Sequence, residues 1–129
     1  MGEKMPECIP AFGDAARLNH RRQIELVKQG GTGQAGRYAV VVILKTPPDG
    51  SRRAAFLISR RFDLLAVRRN RARRLFRESF RQLVGRIAPC WVLMIPRRAI
   101  KQAGQPEVQA EIEQAFRRAG VLRDGSAGR

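Results

Sequence analysis

Hydrophobic and polar positions along the chain follow patterns that predict three helices and three strands. Leu18, Ile24 and Val27 recur at roughly helical spacing, so we expect a short helix over residues 17–29, ended by two glycines. The β-branched run 37–45 and the apolar run 90–96 are typical of well-buried strands.

The segments between these runs complete the predicted order of elements. The glycine-rich stretch 29–37 is predicted to be a loop. Turn residues at 46–51 join the first strand to a second strand, 52–61, which we expect to run antiparallel to it. Pro106 suits the first turn of a last helix that Gly120 ends. The predicted order is therefore α-β-β-α-β-α.

These elements predict a single domain of the α/β (α+β) class, with a small, mainly antiparallel sheet packed against three helices. The chain has 129 residues, which is enough for one domain with its own hydrophobic core. We assign this domain to residues 17–122. Residues 1–16 and 123–129 have no hydrophobic period and are expected to be disordered.

The helix predicted over residues 64–84 has two chemically different sides. We expect Asp63 to cap its start and Gly85 to end it. At 100° per residue, one side is apolar and can pack on the sheet, and the other is rich in arginine. The apolar side carries Leu65, Ala72, Leu75, Phe76, Ser79 and Leu83. The polar side carries Asn70, Arg71, Arg73, Arg74, Arg77 and Arg81.

Arginine dominates the charge of the chain and predicts a polyanionic partner. The formal net charge is +15, and 22 of the 26 basic residues are arginine, whose planar fork matches phosphate. Seven arginines lie within residues 67–81, where Glu78 is the single acid and can pair with Arg74 or Arg81. A one-sided basic helix predicts nucleic-acid binding, although these physical features do not choose RNA over DNA.

Few residues could support catalysis or metal binding. Cys8 and Cys90 are isolated, His20 is the one histidine, and the carboxylates are scattered, so we predict no metal site and no catalytic group. Cys90 and the neighbouring Trp91 are expected to be core residues. No segment has the apolar length of a membrane span or a secretion signal. We therefore expect an intracellular protein that does not interact with a membrane.

The stretch Arg69–Glu78, RNRARRLFRE, resembles the signature of the bacterial ribonuclease P protein family. That signature has Arg-Asn-Arg, a variable residue, two basic residues, two apolar residues and Arg-Glu, and every position is filled here. The length, the order of elements and the preceding FLISRR match as well, so the resemblance covers roughly residues 17–122. It implies the family's α/β fold with a left-handed βαβ crossover.

The resemblance implies that the protein is the cofactor subunit of a ribozyme. The family's RNA subunit hydrolyses precursor tRNA to form the mature 5′ end, with Mg²⁺ bound mainly by that RNA. We therefore expect ribonuclease P RNA and precursor tRNA as partners, no obligate protein partner, a cytoplasmic location and no metal on the protein alone. The implied RNA contacts are Arg69, Asn70, Arg71, Arg73, Arg74 and Arg77, together with Ser59, Arg60 and Arg61.

Two departures from the family pattern lie near the expected substrate. The turn before the basic helix has Asp63 where the family has glycine, and it is about one residue longer. In the family, aromatic side chains line a cleft for the single-stranded 5′ leader of precursor tRNA. The corresponding positions here are Ile24, Lys28 and Val41, and Tyr38 is the one aromatic nearby. Leader binding is thus expected to be weaker or to depend on charge rather than stacking.

Other interpretations are open from the sequence. A ribosomal-type RNA-binding protein would have the same charge, whereas a helix-turn-helix DNA regulator would lack the strong strands around the basic helix. A metal-dependent nuclease would need clustered carboxylates. Arg68 and Arg69 lie at the edges of the apolar side of the helix, where they could contact the ligand or bind carbonyl groups of a neighbouring strand.

Overall fold

Residues 21–123 are described by the computed structural model of the protein. They form three α-helices and four strands, with two short 3-10 helices after the second α-helix and after the last strand. In chain order the elements are α1 (Arg21–Gly30), β1 (Thr32–Ala35), β2 (Ala39–Leu44), β3 (Arg53–Phe56), α2 (Ala66–Leu83), a 3-10 helix (Val84–Arg86), β4 (Trp91–Pro96), a 3-10 helix (Arg98–Gln102) and α3 (Gln105–Ala119).

The four strands form one mixed sheet in the order β1-β2-β4-β3. β2 pairs antiparallel with both β1 and β4, and Ala39 faces Pro96 across the β2–β4 pair. β3 pairs with β4 in parallel, with Phe56 opposite Met94. The chain thus makes a β3–α2–β4 crossover, the kind of connection that the family resemblance implies. The hand of this crossover stays a prediction.

One prediction about the strands was wrong, and another was right in direction only. The glycine-rich stretch predicted to be a loop contains β1, an edge strand whose four residues are largely exposed and carry no apolar alternation. Because β1 is joined to β2 through backbone pairing and lacks apolar alternation, hydrophobic periodicity could not predict it. β3 does run in the opposite direction to β2, but it does not pair with it, because β4 lies between the two.

The sheet buries apolar side chains on both faces. One face is covered by α2 and α3 in the larger core cluster, and the other by α1 in a smaller cluster. Alternate residues of β2 serve the two faces, so Val41 belongs to the larger cluster and Val42 packs against the smaller one. Cys90 and Trp91 are buried, as predicted, with Cys90 in the larger cluster and Trp91 in the smaller.

The start of α2 differs from the prediction. The helix begins at Ala66, and Asp63 does not cap it: the carboxylate instead accepts a hydrogen bond from the Leu65 amide at 2.9 Å, ahead of the first turn. Leu64 and Leu65 are consequently 81% and 51% exposed, so Leu65 does not belong to the packed side. The buried residues of α2 are Ala72, Leu75, Phe76, Ser79, Phe80 and Leu83, and Phe80 was missed.

The last helix follows the prediction closely. Its five predicted face residues, Val108, Ile112, Ala115, Phe116 and Ala119, are all buried. Pro106 lies in the first turn, where a missing amide proton costs nothing, and the Glu107 carboxylate accepts a hydrogen bond from the Gly104 amide at 3.0 Å. Gly120 ends the helix with φ of 80°, a left-handed conformation that glycine adopts without strain.

Candidate nucleic-acid interface

The side of α2 that faces away from the sheet is a cationic surface. Asn70, Arg74 and Arg77 are exposed along it, and Arg73 is half-buried. The Asn70 side-chain oxygen accepts a hydrogen bond from Arg73 Nη1 at 2.8 Å. The NH₂ group of the same amide carries two donors. We call Asn70, Arg73, Arg74 and Arg77 the outward face of α2.

The one acid within this run does not neutralise the outward face. Glu78 forms an ion pair with Arg81, one of the two partners expected, and accepts a further hydrogen bond from Gln82 at 3.0 Å. The hydrogen bonds from Arg81 and then Gln82 lower the pKa of Glu78 below its usual value. Glu78 is therefore held ionised beside Arg81, at the C-terminal part of α2.

The other two arginines of the motif turn toward the protein. Arg69 Nη1 donates hydrogen bonds to the backbone carbonyl oxygens of Asp63 and Leu64, both at 2.9 Å. Arg71 donates to the carbonyl oxygen of Ile100 at 3.2 Å and, through Nη2, to that of Ala103. Arg69 thus binds carbonyl groups of the turn before α2 rather than those of a neighbouring strand. Both residues were predicted as RNA contacts, and the role of their remaining donors stays a prediction.

Asp63 forms ion pairs that join the turn before α2 to α2 itself and to the 3-10 helix Arg98–Gln102. Its carboxylate lies 3.1 Å from Lys101 Nζ and 3.4 Å from Arg68 Nη1, and the side chain is only 8% exposed. The hydrogen bond from the Leu65 amide, followed by Lys101 and Arg68, lowers the pKa of Asp63 to about 2. An aspartate where the family has glycine therefore fixes the turn into α2 through ionic contacts.

A groove of about 520 Å³ opens at one edge of the sheet and is lined by arginine. The C-terminal ends of β3 and β4 meet at this edge because the two strands are parallel, and the start of β2 joins them because it is antiparallel to β4. The groove has an apolar floor that includes Leu57 and Ile95. Its polar lining residues are Arg37, Ser59, Arg61, Arg97 and Arg98. We call this surface the arginine groove.

Sequence reasoning found only part of this groove. Ser59 and Arg61 were predicted and line it, whereas Arg60 is exposed and is not among the lining residues. Arg37, Arg97 and Arg98 were missed. Arg97 and Arg98 directly follow β4, which is the signal that could have identified them. It becomes informative only when β3 and β4 are known to be parallel, because their C-terminal ends then meet at one edge of the sheet.

The side chains of Glu111 and Arg97 hydrogen-bond to the backbone of the segment that carries Arg37 and hold it in place. The Glu111 carboxylate of α3 accepts hydrogen bonds from the amides of Arg37, Tyr38 and Ala39 at 2.8, 2.8 and 2.9 Å. Arg97 Nη1 donates to the carbonyl oxygen of Gly36 at 3.1 Å. One side of the arginine groove is thus fixed to α3 before any ligand binds.

The structure does not bring together the four residues predicted for the leader cleft. Ile24 packs on the α1 side of the sheet, and Lys28 is exposed on α1, 3.9 Å from Glu25. Tyr38 packs against the larger cluster on the other side, where Val41 is only 1% exposed. Val41 is therefore buried rather than open to a cleft, and its neighbour Val42 faces the α1 side of the sheet.

Metal-ligand clusters and membrane-spanning helices are both missing from residues 21–123. No group of three or more His, Cys, Asp or Glu residues in this part of the chain could hold a metal ion. No helix described here is long and apolar enough to cross a membrane. Cys90 is buried, and burial raises the pKa of its thiol to about 12, which makes it a poor nucleophile. Cys8 and His20 lie outside the described residues.

A small α+β domain with a basic helix face and a basic groove belongs to the class of nucleic-acid-binding proteins. A model of the family described as Ribonuclease P matches residues 12–120. The ribonuclease P protein component of Symbiobacterium thermophilum is 36% identical over 109 residues, covering 84% of this chain and 94% of its own. That of Roseiflexus sp. is 35% identical over 119 residues, covering 88% and 93%. The chain belongs to the ribonuclease P protein family.

Solved structures agree with this assignment. The RNase P protein from Thermotoga maritima aligns with a TM-score of 0.68 and 27% identity, covering 79% of this chain and 96% of its own. The RNase P protein of Staphylococcus aureus aligns with a TM-score of 0.74 and 23% identity, covering 85% and 100%, which shows a shared fold. The chain is thus a protein component of the ribonuclease P ribonucleoprotein, an endoribonuclease of tRNA processing.

Proposed function

We propose that this protein binds the RNA subunit of ribonuclease P through the outward face of α2 and the 5′ leader of precursor tRNA through the arginine groove. The RNA subunit performs the hydrolysis, and the protein stabilises the complex between the two RNAs. The observation that carries this proposal is the one-sided cationic surface of α2, which keeps Asn70, Arg74 and Arg77 exposed while the opposite side is packed in the core.

The chemistry of the outward face fits a folded RNA. Arginine forks bind backbone phosphates, often with two parallel hydrogen bonds. In protein–DNA complexes, half or more of the hydrogen bonds go to the phosphates and sugars of the backbone. The Asn70 amide adds donors that can contact a ribose hydroxyl or a base edge. A helix that combines the two can track a phosphate backbone and also fix its register.

The arginine groove fits a single-stranded leader without aromatic stacking. Its floor is apolar, and four arginines and a serine hydroxyl surround it. A positively charged groove that follows the backbone is one of the two usual ways to hold a single strand, and the other is base stacking on aromatic residues. We therefore propose that leader binding here depends on charge and is strongly weakened by salt.

Magnesium belongs to the RNA in this proposal. The protein contributes positive charge close to both RNAs, which reduces the repulsion between them that Mg²⁺ would otherwise screen. We expect the protein alone to bind no Mg²⁺, to need no further protein partner and to act in the cytoplasm. Each of these points is an expectation from the chemistry of the family and of this chain.

A salt series on binding tests the assignment of the outward face. Each phosphate contact contributes roughly 0.7–0.9 to the slope of log K against log salt concentration. We expect Arg74→Ala and Arg77→Ala each to reduce that slope by about one in binding to ribonuclease P RNA. Arg22→Ala removes an exposed arginine from α1, on the other side of the sheet, and is the matched control. An unchanged slope in both α2 variants would contradict the proposed surface.

A further inference from the structure

Arg71 occupies an unusual position for a residue inside an RNA-contacting motif. Its side chain is half-buried, and it leaves α2 toward the 3-10 helix Arg98–Gln102 rather than toward the outward face. Nη1 donates a hydrogen bond to the carbonyl oxygen of Ile100 at 3.2 Å, and Nη2 donates to that of Ala103. Both arms of one guanidinium therefore bind the backbone of one short segment.

The two carbonyl groups lie where a cation is favourable. Carbonyl groups at the C-terminal end of a helix lack partners along the helix and carry partial negative charge. Ile100 accepts one hydrogen bond from the Ala103 amide, and Ala103 directly precedes Gly104, the N-cap residue of α3. Arg71 thus joins three elements: α2, the 3-10 helix and the start of α3.

A second set of contacts joins the same elements from the other side. Lys101 of the 3-10 helix lies 3.1 Å from the Asp63 carboxylate and 5.0 Å from the centre of the Phe62 ring. Arg68 and Arg71 of α2 face Lys101 across a cavity of about 290 Å³. The basic 3-10 helix is therefore held beside the first turns of α2 at two places, and Arg98, at its start, lines the arginine groove.

We infer that Arg71 is a positioning residue, which fixes the 3-10 helix Arg98–Gln102 against α2 and so sets the spacing between the outward face and the arginine groove. Its contribution to RNA binding acts through this geometry rather than through a phosphate contact. The expected effect of Arg71 on RNA binding rests on the proposed function. The expected role of Arg71 in holding the 3-10 helix against α2 concerns the RNA-free protein and does not depend on that proposal.

Geometry explains why lysine should not replace Arg71. The guanidinium reaches two carbonyl oxygens with two nitrogens in one plane, whereas an ammonium group is a single point charge. At a phosphate contact, a lysine keeps most of the electrostatic attraction. At a two-carbonyl contact, it loses one hydrogen bond and the fixed orientation. The pair Arg71→Ala and Arg71→Lys therefore separates the two roles.

Hydrogen exchange in the RNA-free protein tests the inference. We expect amides in residues 98–104 to exchange about ten-fold faster in both Arg71→Lys and Arg71→Ala, because local opening of this segment becomes easier. Arg74→Ala and Arg74→Lys are the matched controls, since Arg74 is exposed on the same helix, and they should exchange like the wild type. Wild-type exchange of this segment in both Arg71 variants would overturn the inference.

RNA binding provides the second readout. Arg71→Lys should lose about as much affinity for ribonuclease P RNA as Arg71→Ala, with a slope change well below the roughly 0.7–0.9 of one phosphate contact. Arg74→Lys should keep most of the affinity that Arg74→Ala loses. Where Arg74→Ala does lose affinity, wild-type affinity in Arg71→Lys would also overturn the inference. If no variant at either position alters affinity, the proposed RNA surface fails, and hydrogen exchange still decides the role of Arg71.

Discussion

Among single residues, Asn70 shows most clearly that neighbouring residues of the motif have different contacts. It is exposed between two arginines that turn inward, and its oxygen accepts a hydrogen bond from Arg73 at 2.8 Å. The oxygen orients the Arg73 guanidinium, and the NH₂ group of Asn70 carries two further donors. Arginine, which has no acceptor, could not do both. We propose that an amide interrupts the positive run because it can supply an acceptor to Arg73 and donors to RNA.

Asn70→Ala is expected to weaken binding to ribonuclease P RNA by about 1–3 kcal/mol, because a polar partner on the RNA is left unmatched. The salt slope should change little, since no charge is removed, and the melting temperature should stay the same because the side chain is exposed. Binding titrations at several salt concentrations measure both quantities. Gln114→Ala, which removes an exposed amide of α3, is the control. Equal affinity of Asn70→Ala and wild type at every salt would reduce Asn70 to a spacer.

Among the elements, α2 and its surroundings differ most from the sequence prediction. Its buried side follows from helical periodicity, which identified five of the six buried residues: Ala72, Leu75, Phe76, Ser79 and Leu83. Its start does not follow from local rules, because Asp63 is held by Lys101, which lies far along the chain. The same limit applies to Arg71, whose partners at Ile100 and Ala103 come from another element.

The strands show the same contrast: some can be predicted from their own sequence, whereas their pairing depends on segments far along the chain. β2 and β4 are apolar enough to be predicted from composition, and α3 from its period. β1 has no apolar alternation, and it is recognised as a strand by its pairing with β2. The pairing of β3 with β4 decides which strand ends meet, so Arg37, Arg97 and Arg98 could not be joined to Ser59 and Arg61 without it. The burial of Val41 also depends on strand geometry, because neighbouring residues of a strand face opposite sides of the sheet.

Acid should weaken the connection at the start of α2. The pKa of Asp63 is lowered to about 2, so its ionised form stabilises the folded state at pH values above its unfolded pKa of about 3.9, and this contribution is lost as the pH falls toward 2. Asp63→Asn should therefore be less stable than wild type at pH 6, and the difference should shrink between about pH 4 and pH 2. Denaturant unfolding of both proteins across this range measures the difference.

A matched variant separates this effect from general acid unfolding. Glu25→Gln removes the carboxylate of an exposed pair in which Lys28 Nζ lies 3.9 Å away, and exposed pairs contribute little to stability. Its free energy of unfolding should stay close to that of wild type throughout. A difference between wild type and Asp63→Asn that is the same at pH 6 and pH 2 would contradict an ionic role for Asp63.

For the whole molecule, two basic surfaces are arranged around one core. The outward face of α2 and the arginine groove are linked by the 3-10 helix Arg98–Gln102, and Glu111 fixes the chain carrying Arg37 from the opposite side. Much of the positive charge of the described residues is thus concentrated on these two surfaces. In the part of the chain that the structure describes, no group of acidic, histidine or cysteine residues could hold a metal.

The most direct test is to measure precursor tRNA cleavage by ribonuclease P RNA as a function of Mg²⁺ concentration, with and without the purified protein. We predict that the protein lowers the Mg²⁺ concentration that the RNA needs to form the mature 5′ end. We also predict that the protein without the RNA does not cleave precursor tRNA. An unchanged Mg²⁺ requirement in the presence of folded protein, or cleavage in an RNA-free preparation, would contradict these predictions.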